Sequence, residues 1–394
     1  MKLKPYIKTL HLWLGLVSGL VVFVVALSGS VLVFEDELGP FFDPAYYNTP
    51  EHAAAAKIPT DILIENALQK HPGAVLQNLY TFNDPKRSVL INLTDINGEQ
   101  RVISASPYSG KILKDTLYEK RFFTIVTKLH RYLLMGDTGK AITGAACLIF
   151  TVLLISGMIL WWPSKLKNLK QRLKIKWKAS FKRVNWDIHA VLGFYSVIPL
   201  LLIALTGLIW SYRWYENTMY YIADGTPKPI HKVKNRETDS YSTRDNNNFY
   251  TSILKETDSL FTYRGDIRLI RDLKGKNSIL VLKENLEAPI PNIRDMVYFD
   301  MYSGERLQIK RYDELSAGDK IRRMIYPLHT GSIYGYPTKI LAFVVCLIAA
   351  ASPVTGLLIW TGRKKKKNKA FLRQKAESHK PRKLRRSIPE RQSV

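Results

Sequence analysis

The chain has 394 residues, with 59 Lys and Arg against 33 Asp and Glu and a formal net charge of +26. Such an excess invites a nucleic-acid-binding reading. The basic runs, however, abut apolar segments long enough to cross a bilayer, which excludes nucleic acid in favour of anionic lipid as the partner. The two cysteines, Cys147 and Cys346, fall inside apolar segments, so the polar parts cannot rely on disulfides, and the pair reads as small packing residues.

The first element, residues 1–36, contains TLHLWLGLVSGLVVFVVALSGSVLVF (Thr9 to Phe34), with no charge from Leu12 to Phe34. About 20 apolar residues span the hydrocarbon core as a helix. The apolar core is too long for a cleaved signal and runs straight into Glu35-Asp36-Glu37. Residues 37–128 read as a small α+β module. Asp61 to His71 has helical spacing, and Ser88–Thr94 and Arg101–Ser106 alternate as strands around the turn DINGE. Residues 129–162 hold His130 and the apolar stretch Ala141–Trp162. His130 lies 31 residues before Trp161, about 46 Å as one helix. The GDTG sequence at Gly136–Gly139 is therefore expected to break it and lay the His130 segment along the outer surface.

A basic loop follows at 163–185, then a third span at 186–212 with its apolar part from His189 to Tyr212. The second, longer module covers 213–328, with strands expected at Ser278–Asn285 and Met296–Gly304. The fourth span, 329–362, includes His329 and Lys339–Trp360, and a basic tail occupies 363–394. The polar modules explain the near-neutral mean hydropathy.

Charge orients the spans. Pro163–Asn185 holds nine Lys/Arg and no acid, and the tail from Gly362 holds fourteen Lys/Arg and two acids. Short Lys/Arg-rich segments stay in the cytoplasm. Both termini and the middle loop are expected inside, with the two modules outside, in the inner membrane of a bacterium.

The chain repeats itself. A shift of 178 residues lays His11 on His189 and Ala26-Leu27-Ser28-Gly29 on Ala204-Leu205-Thr206-Gly207. A shift of 199 lays His130 on His329, Cys147 on Cys346, Gly157 on Gly356 and Trp161 on Trp360. The modules echo one another in PYSGKIL and MYSGERL. Two parallel copies of one unit follow, related by a pseudo-twofold axis along the membrane normal. The fold class is thus an α-helical membrane protein, with four transmembrane helices in two parallel repeats and two α+β modules outside.

The axis can bring His11 towards His189 near the inner face, and His130 towards His329 near the outer face. Facing imidazoles in a helical bundle suit haem iron, one from each side. Small residues on the His11 face (Gly15, Ser18, Ala26, Gly29) leave room for a macrocycle, although such residues also serve close helix packing. The absence of CxxCH means non-covalent attachment, hence two b-type haems. Pairs at opposite faces are too far apart for one zinc or copper site. His52, His71, His231 and His379 have no symmetric partner and read as ordinary exposed residues. No Walker or Rossmann loop is present.

HLWLGL with ALSGSVLVFEDEL, the YSG turn, LHRYL and LHTGSIYGYPTKIL resemble the PepSY-associated transmembrane family. The resemblance runs from His11 to about Arg363. It implies PepSY-like modules and a haem-dependent membrane oxidoreductase, of the kind that reduces ferric siderophores at the periplasmic face, with His11, His130, His189 and His329 as axial ligands. Reduction would release iron from a hydroxamate-type chelate, because ferrous iron holds hard oxygen donors less strongly. The electron would come from a separate cytoplasmic protein or from quinol, and Lys174–Lys178 would suit an acidic partner. Ser106 stands where the second copy has Asp300, so no shared role is expected there. The competing readings are a non-redox sensor whose modules bind a periplasmic ligand, and an iron-chelate permease. Against the permease, only Pro199 and Pro353 interrupt the spans and the midplane lacks charge.

Overall fold

The computed structural model describes residues 3–50, 56–228, 248–271 and 277–378. The first half opens with α1 (Lys4–Leu32), followed by the short α2 (Glu35–Phe42) and α3 (Pro44–Tyr47) and by α4 (Thr60–Lys70). Four strands come next, β1 (Val75–Thr81), β2 (Val89–Thr94), β3 (Gln100–Ala105) and β4 (Ile112–Leu117), and the half closes with α5 (Phe122–Tyr132) and α6 (Gly136–Trp161). After the short α7 (Leu169–Arg172), α8 (Phe181–Asp187) continues through a π-helical turn at Ile188–Leu192 into α9 (Gly193–Ser211). Then come α10 (Arg213–Asp224), α11 (Phe249–Leu260), β5 (Gly265–Arg271), β6 (Ser278–Asn285), β7 (Arg294–Asp300), β8 (Arg306–Lys310), α12 (Ala317–Thr330) and α13 (Tyr336–Ser378).

Four helical stretches are long and apolar enough to cross a membrane: Lys4–Leu32, Gly136–Trp161, Phe181–Ser211 and Tyr336–Arg363. Each begins before the apolar window read from sequence. Backbone groups at the membrane edge gain their hydrogen bonds by continuing the helix. Helices α1 and α9 each pack on both α6 and α13, closing a ring of four. Leu154, Val197, Leu200, Val345 and Ala349 fill its middle. Basic side chains cap the exposed carbonyls where α6 ends: Lys4 Nζ donates to Trp162 O at 2.7 Å, and the Arg172 guanidinium to Trp161 O.

The two modules are not separate bodies. Their strands form one antiparallel eight-stranded sheet, ordered β4-β3-β2-β1-β5-β6-β7-β8. The seam joins the first strand of each module, with Leu79 opposite Leu269 and Tyr80 opposite Arg268. Pairing at the seam leaves only β4 and β8 as edges, whereas separate four-stranded sheets would expose two more. Helices α4 and α11 cover one face over Leu79, Ile91, Leu269 and Val281. Their N-termini meet across the seam: Asp61 accepts from the Tyr250 and Thr251 amides at 2.8 Å, and Thr251 Oγ1 accepts from the Thr60 amide at 2.9 Å.

Three local expectations change. Met301–Gly304, read as the end of a strand, is the turn after β7. Ser106 and Asp300 do share a role. Ser106 Oγ accepts from the Tyr108 and Ser109 amides, and Asp300 Oδ1 from the Tyr302 and Ser303 amides, each closing the YSG turn of its own module. His71 is not an ordinary exposed residue: its Nε2 lies 2.8 Å from Asp115 Oδ2, and the side chain is only 18% exposed. His52, His231 and His379 lie outside the described residues.

Candidate metal centres

His11 sits two turns into α1 and His189 in the π-helical turn that links α8 to α9. Their rings face each other across the bundle with centroids 6.5 Å apart and planes at 84°. On the sheet side, His130 at the end of α5 faces His329 at the end of α12, with centroids 6.2 Å apart and planes at 67°. The break expected at GDTG falls earlier, at Leu133 and Leu134, both of which adopt left-handed backbone. The reversal does not lay His130 along the surface. It folds α5 back against α1 and drives the ring into the bundle, where Nδ1 reaches Val25 O at 2.8 Å.

All four rings are held by Nδ1. The His130 and His329 nitrogens meet the carbonyls of Val25 at 2.8 Å and Ile203 at 2.9 Å. A carbonyl only accepts, so Nδ1 carries the proton and Nε2 keeps its lone pair. His11 Nδ1 lies 2.8 Å from Ser156 Oγ, and His189 Nδ1 lies 2.8 Å from Thr355 Oγ1. Each hydroxyl already donates to its own helix, Ser156 to Leu153 O and Thr355 to Ala351 O and Ser352 O, which leaves it an acceptor for the imidazole N–H. None of the four Nε2 atoms bonds a protein group among the described residues. A ring oriented through Nδ1 with Nε2 free is the arrangement of a metal-binding histidine.

The pair spacing fits one ion between two imidazoles. Metal–nitrogen bonds of about 2.0–2.1 Å, plus the half-width of each ring, place the centroids a little over 6 Å apart. Among the described residues no three His, Cys, Asp or Glu side chains converge. Among the described residues the four histidines meet in twos.

A family model described as the PepSY-associated TM region matches residues 8–363. The chain belongs to the PepSY-associated transmembrane family. It is a multi-pass membrane protein of that family, and no curated protein matches it.

Glycine completes each site in this PepSY-associated chain. The nearest atom to a β-carbon added at Gly29 is His130 Cε1, at Gly207 His329 Cε1, at Gly157 His11 Cε1 and at Gly356 His189 Cε1. Each glycine follows a hydroxyl residue: Ser28, Thr206, Ser156 and Thr355. Thus four [Ser/Thr]-Gly dipeptides each seat one ring and place a hydroxyl near its Nδ1 (3.4 Å for Ser28 and 3.1 Å for Thr206). Gly29, expected beside His11, in fact serves His130 at the other end of the same helix. Ser156 and Thr355 were not singled out from sequence, although the 199-residue shift superposes them, and that superposition was the available signal. The two halves differ at the sheet side: Trp210 packs edge-on to His329 at 5.1 Å, and the repeat places Leu32 in the corresponding position. Beside His189, between the π-helical turn and α13, lies a recess of about 230 Å³ lined by Leu192, Val344, Ile348 and Thr355. Cys147 and Cys346 are free thiols, and Cys147 Sγ donates to Ala204 O at 3.4 Å.

Proposed function

We propose that this PepSY-associated protein carries two non-covalent b-type haems, with His11/His189 and His130/His329 as axial ligands, and reduces ferric chelates on the periplasmic side of the bacterial inner membrane. The observation that supports this reading is the pairing itself: two facing imidazoles at each end of the bundle, every Nδ1 bonded and every Nε2 free. Haem in such a site supplies one-electron chemistry, tuned by its axial ligands and their hydrogen bonds.

The chain's own residues do the positioning. Nδ1 bonds fix the tautomer and hold each ring against rotation. The glycines admit the rings to the helix surfaces, and the aliphatic layer around Leu154, Leu200 and Val345 separates the two sites and keeps water from the midplane. The sites stand on opposite ends of one helix: His11 and Gly29 are about 27 Å apart along α1. The packed midplane offers no substrate path and disfavours the permease. The donor is a cytoplasmic protein or quinol, and the substrate is ferric iron held by oxygen ligands, which bind ferrous iron less strongly.

Pyridine haemochrome analysis of the purified protein tests the reading. About two haems per chain are expected from two bis-histidine pairs. A folded, colourless preparation from haem-replete cells would overturn it and favour the sensor.

A further inference from the structure

Among the described residues, four of the side-chain atoms buried without a hydrogen-bond partner belong to the sheet and its loops, on Arg87, Asn92, Arg268 and Ser278. The fifth lies in the bundle: it is the indole nitrogen Nε1 of Trp161, in the last turn of α6. The residue is only 6% exposed. A buried indole N–H normally finds an acceptor, because leaving it unpaired forfeits its bond to water with nothing in return. Folded proteins rarely leave such groups unsatisfied, and a ligand that brings the acceptor is one standing reason for an orphan that persists.

Trp161 stands beside the basic-side histidine pair. It follows by one turn Gly157, where an added β-carbon would stand 3.4 Å from His11 Cε1. Its ring stacks on Phe194 of α9, with centroids 3.6 Å apart and planes at 14°. Phe194 adjoins Gly193, where an added β-carbon would meet nothing within 4 Å. At Gly15, one turn beyond His11, it would meet only Leu153 Cδ2, at 3.9 Å. The helix surfaces next to both rings are uncrowded.

The charges at this end are one-sided. The Arg172 guanidinium donates to Trp161 O and Lys4 Nζ to Trp162 O, and neither cation forms an ion pair among the described residues. Between Asp137 and Glu216 the sole acid is Asp187, and Arg183 takes it at 2.9 Å. An unpaired donor, unpaired cations and uncrowded helix faces together suit a flat apolar body that carries carboxylates. The other half of the repeat offers less. There Leu16 stands in the place of Phe194, and Trp360, the counterpart of Trp161, is only half-buried.

We infer that Trp161 and Arg172 are the propionate-binding residues of the basic-side haem site, on the α6 side of the bundle. Trp161 Nε1 donates a hydrogen bond to one carboxylate, and Arg172 supplies the counter-charge. The inference rests on the two-haem reading above and adds residues that hold the cofactor by its periphery, apart from the histidines that hold its iron.

Haemin and its dimethyl ester, which carries no charge at the propionates, test it. Full-length protein is made in haem-deficient cells, in a His130→Ala background that leaves the basic-side pair alone, and titrated in detergent by absorbance. Trp161→Phe keeps an aromatic ring against Phe194 and removes the donor. It should weaken haemin binding by about tenfold or more, the scale of a hydrogen bond to a charged group, and leave ester binding unchanged. Arg172→Gln should act in the same way. Trp162→Phe, at the exposed neighbour, is the unaffected control. A second readout needs no haem-free protein. In the same background purified with its haem, resonance Raman should show the propionate bending band shifted in Trp161→Phe and the spin-state bands unchanged. Equal losses for haemin and ester, haemin affinity unchanged in both variants, or an unshifted propionate band overturns the assignment while leaving the haem reading in place. So does an anionic phospholipid that co-purifies with the wild type, is lost in Trp161→Phe and is not displaced by haemin. Failure of the unsubstituted chain to bind either porphyrin overturns the two-haem reading itself.

Discussion

Gly29 and His130 share one space. A β-carbon at Gly29 would stand 2.9 Å from His130 Cε1 and 3.2 Å from Nδ1, and the ring cannot yield without losing the Val25 carbonyl. Gly29→Ala should therefore displace a ligand of the sheet-side site. The corresponding contact at Gly207 is 3.2 Å, at Gly157 3.4 Å and at Gly356 3.5 Å. Haem content should fall by one of two sites in Gly29→Ala, less in Gly207→Ala, and remain full in Gly356→Ala, where the contact is ordinary. An unchanged spectrum for Gly29→Ala would show that His130 is not held as a ligand.

Replacing the histidines should separate the two sites. His130→Ala or His329→Ala should remove one haem and stop delivery to a ferric chelate outside oriented vesicles, while the site at His11 and His189 still accepts electrons from inside. His11→Ala or His189→Ala should leave the sheet-side haem present but unfilled from the cytoplasmic side. Stopped-flow absorbance on variants of native thermal stability resolves these steps. Reduction of the chelate at the wild-type rate by the His130 variant would end the two-site scheme.

Ser156→Ala and Thr355→Val remove the hydroxyls that accept from His11 and His189. Loss of such an orienting bond typically lowers metal-site affinity by about 10- to 100-fold. Retention should weaken, or the midpoint potential shift, at the basic-side site only, and more in Ser156→Ala than in Thr355→Val, because His189 also bonds the backbone of Ser352 and the other pair is held by backbone carbonyls. Equal shifts at both sites in a redox titration would contradict this division.

Asp115 gives the sheet a pH dependence. Burial pushes its carboxyl up, but hydrogen bonds from His71, Lys70 and Arg101 outweigh that and hold it below the usual carboxylate range. A carboxylate with a depressed folded pKa contributes stability that is present above its unfolded pKa and is lost as pH falls through the folded value. Asp115→Asn should cost about 1–3 kcal/mol at pH 7 and progressively less below about pH 4. Thermal melts of the two proteins across that range check the sign. A deficit that grows in acid would refute it.

Reporter fusions after Asn185 and after Val394 should read as cytoplasmic, and fusions at Asn97 or Asn277 as periplasmic. This follows from the clustering of Lys and Arg at the termini and in the 163–185 loop. An inverted pattern would put the sheet, and with it the His130/His329 pair, on the cytoplasmic side.

Much of this molecule was legible in its sequence because the relevant physics is local. Membrane spans follow from uninterrupted apolar length, and α4, β2, β3 and β6 from short-range periodicity. The two histidine pairs were legible from the internal repeat, which puts equivalent residues at one depth and allows them to meet across a common axis; that the rings do face each other is a matter of packing. Tertiary structure alone decided the rest. The seam between β1 and β5 joins strands almost 190 residues apart, and backbone pairing at that distance leaves no mark on composition. The carbonyls of Val25 and Ile203 belong to every residue type and carry no side-chain signal, yet they set the tautomer of His130 and His329. Helical periodicity places Gly29 on the face of His11 but does not say which neighbour approaches it, and the ring that does is His130. Which ring fills the space of a missing side chain depends on how α5 folds back on α1, and that is settled only by packing.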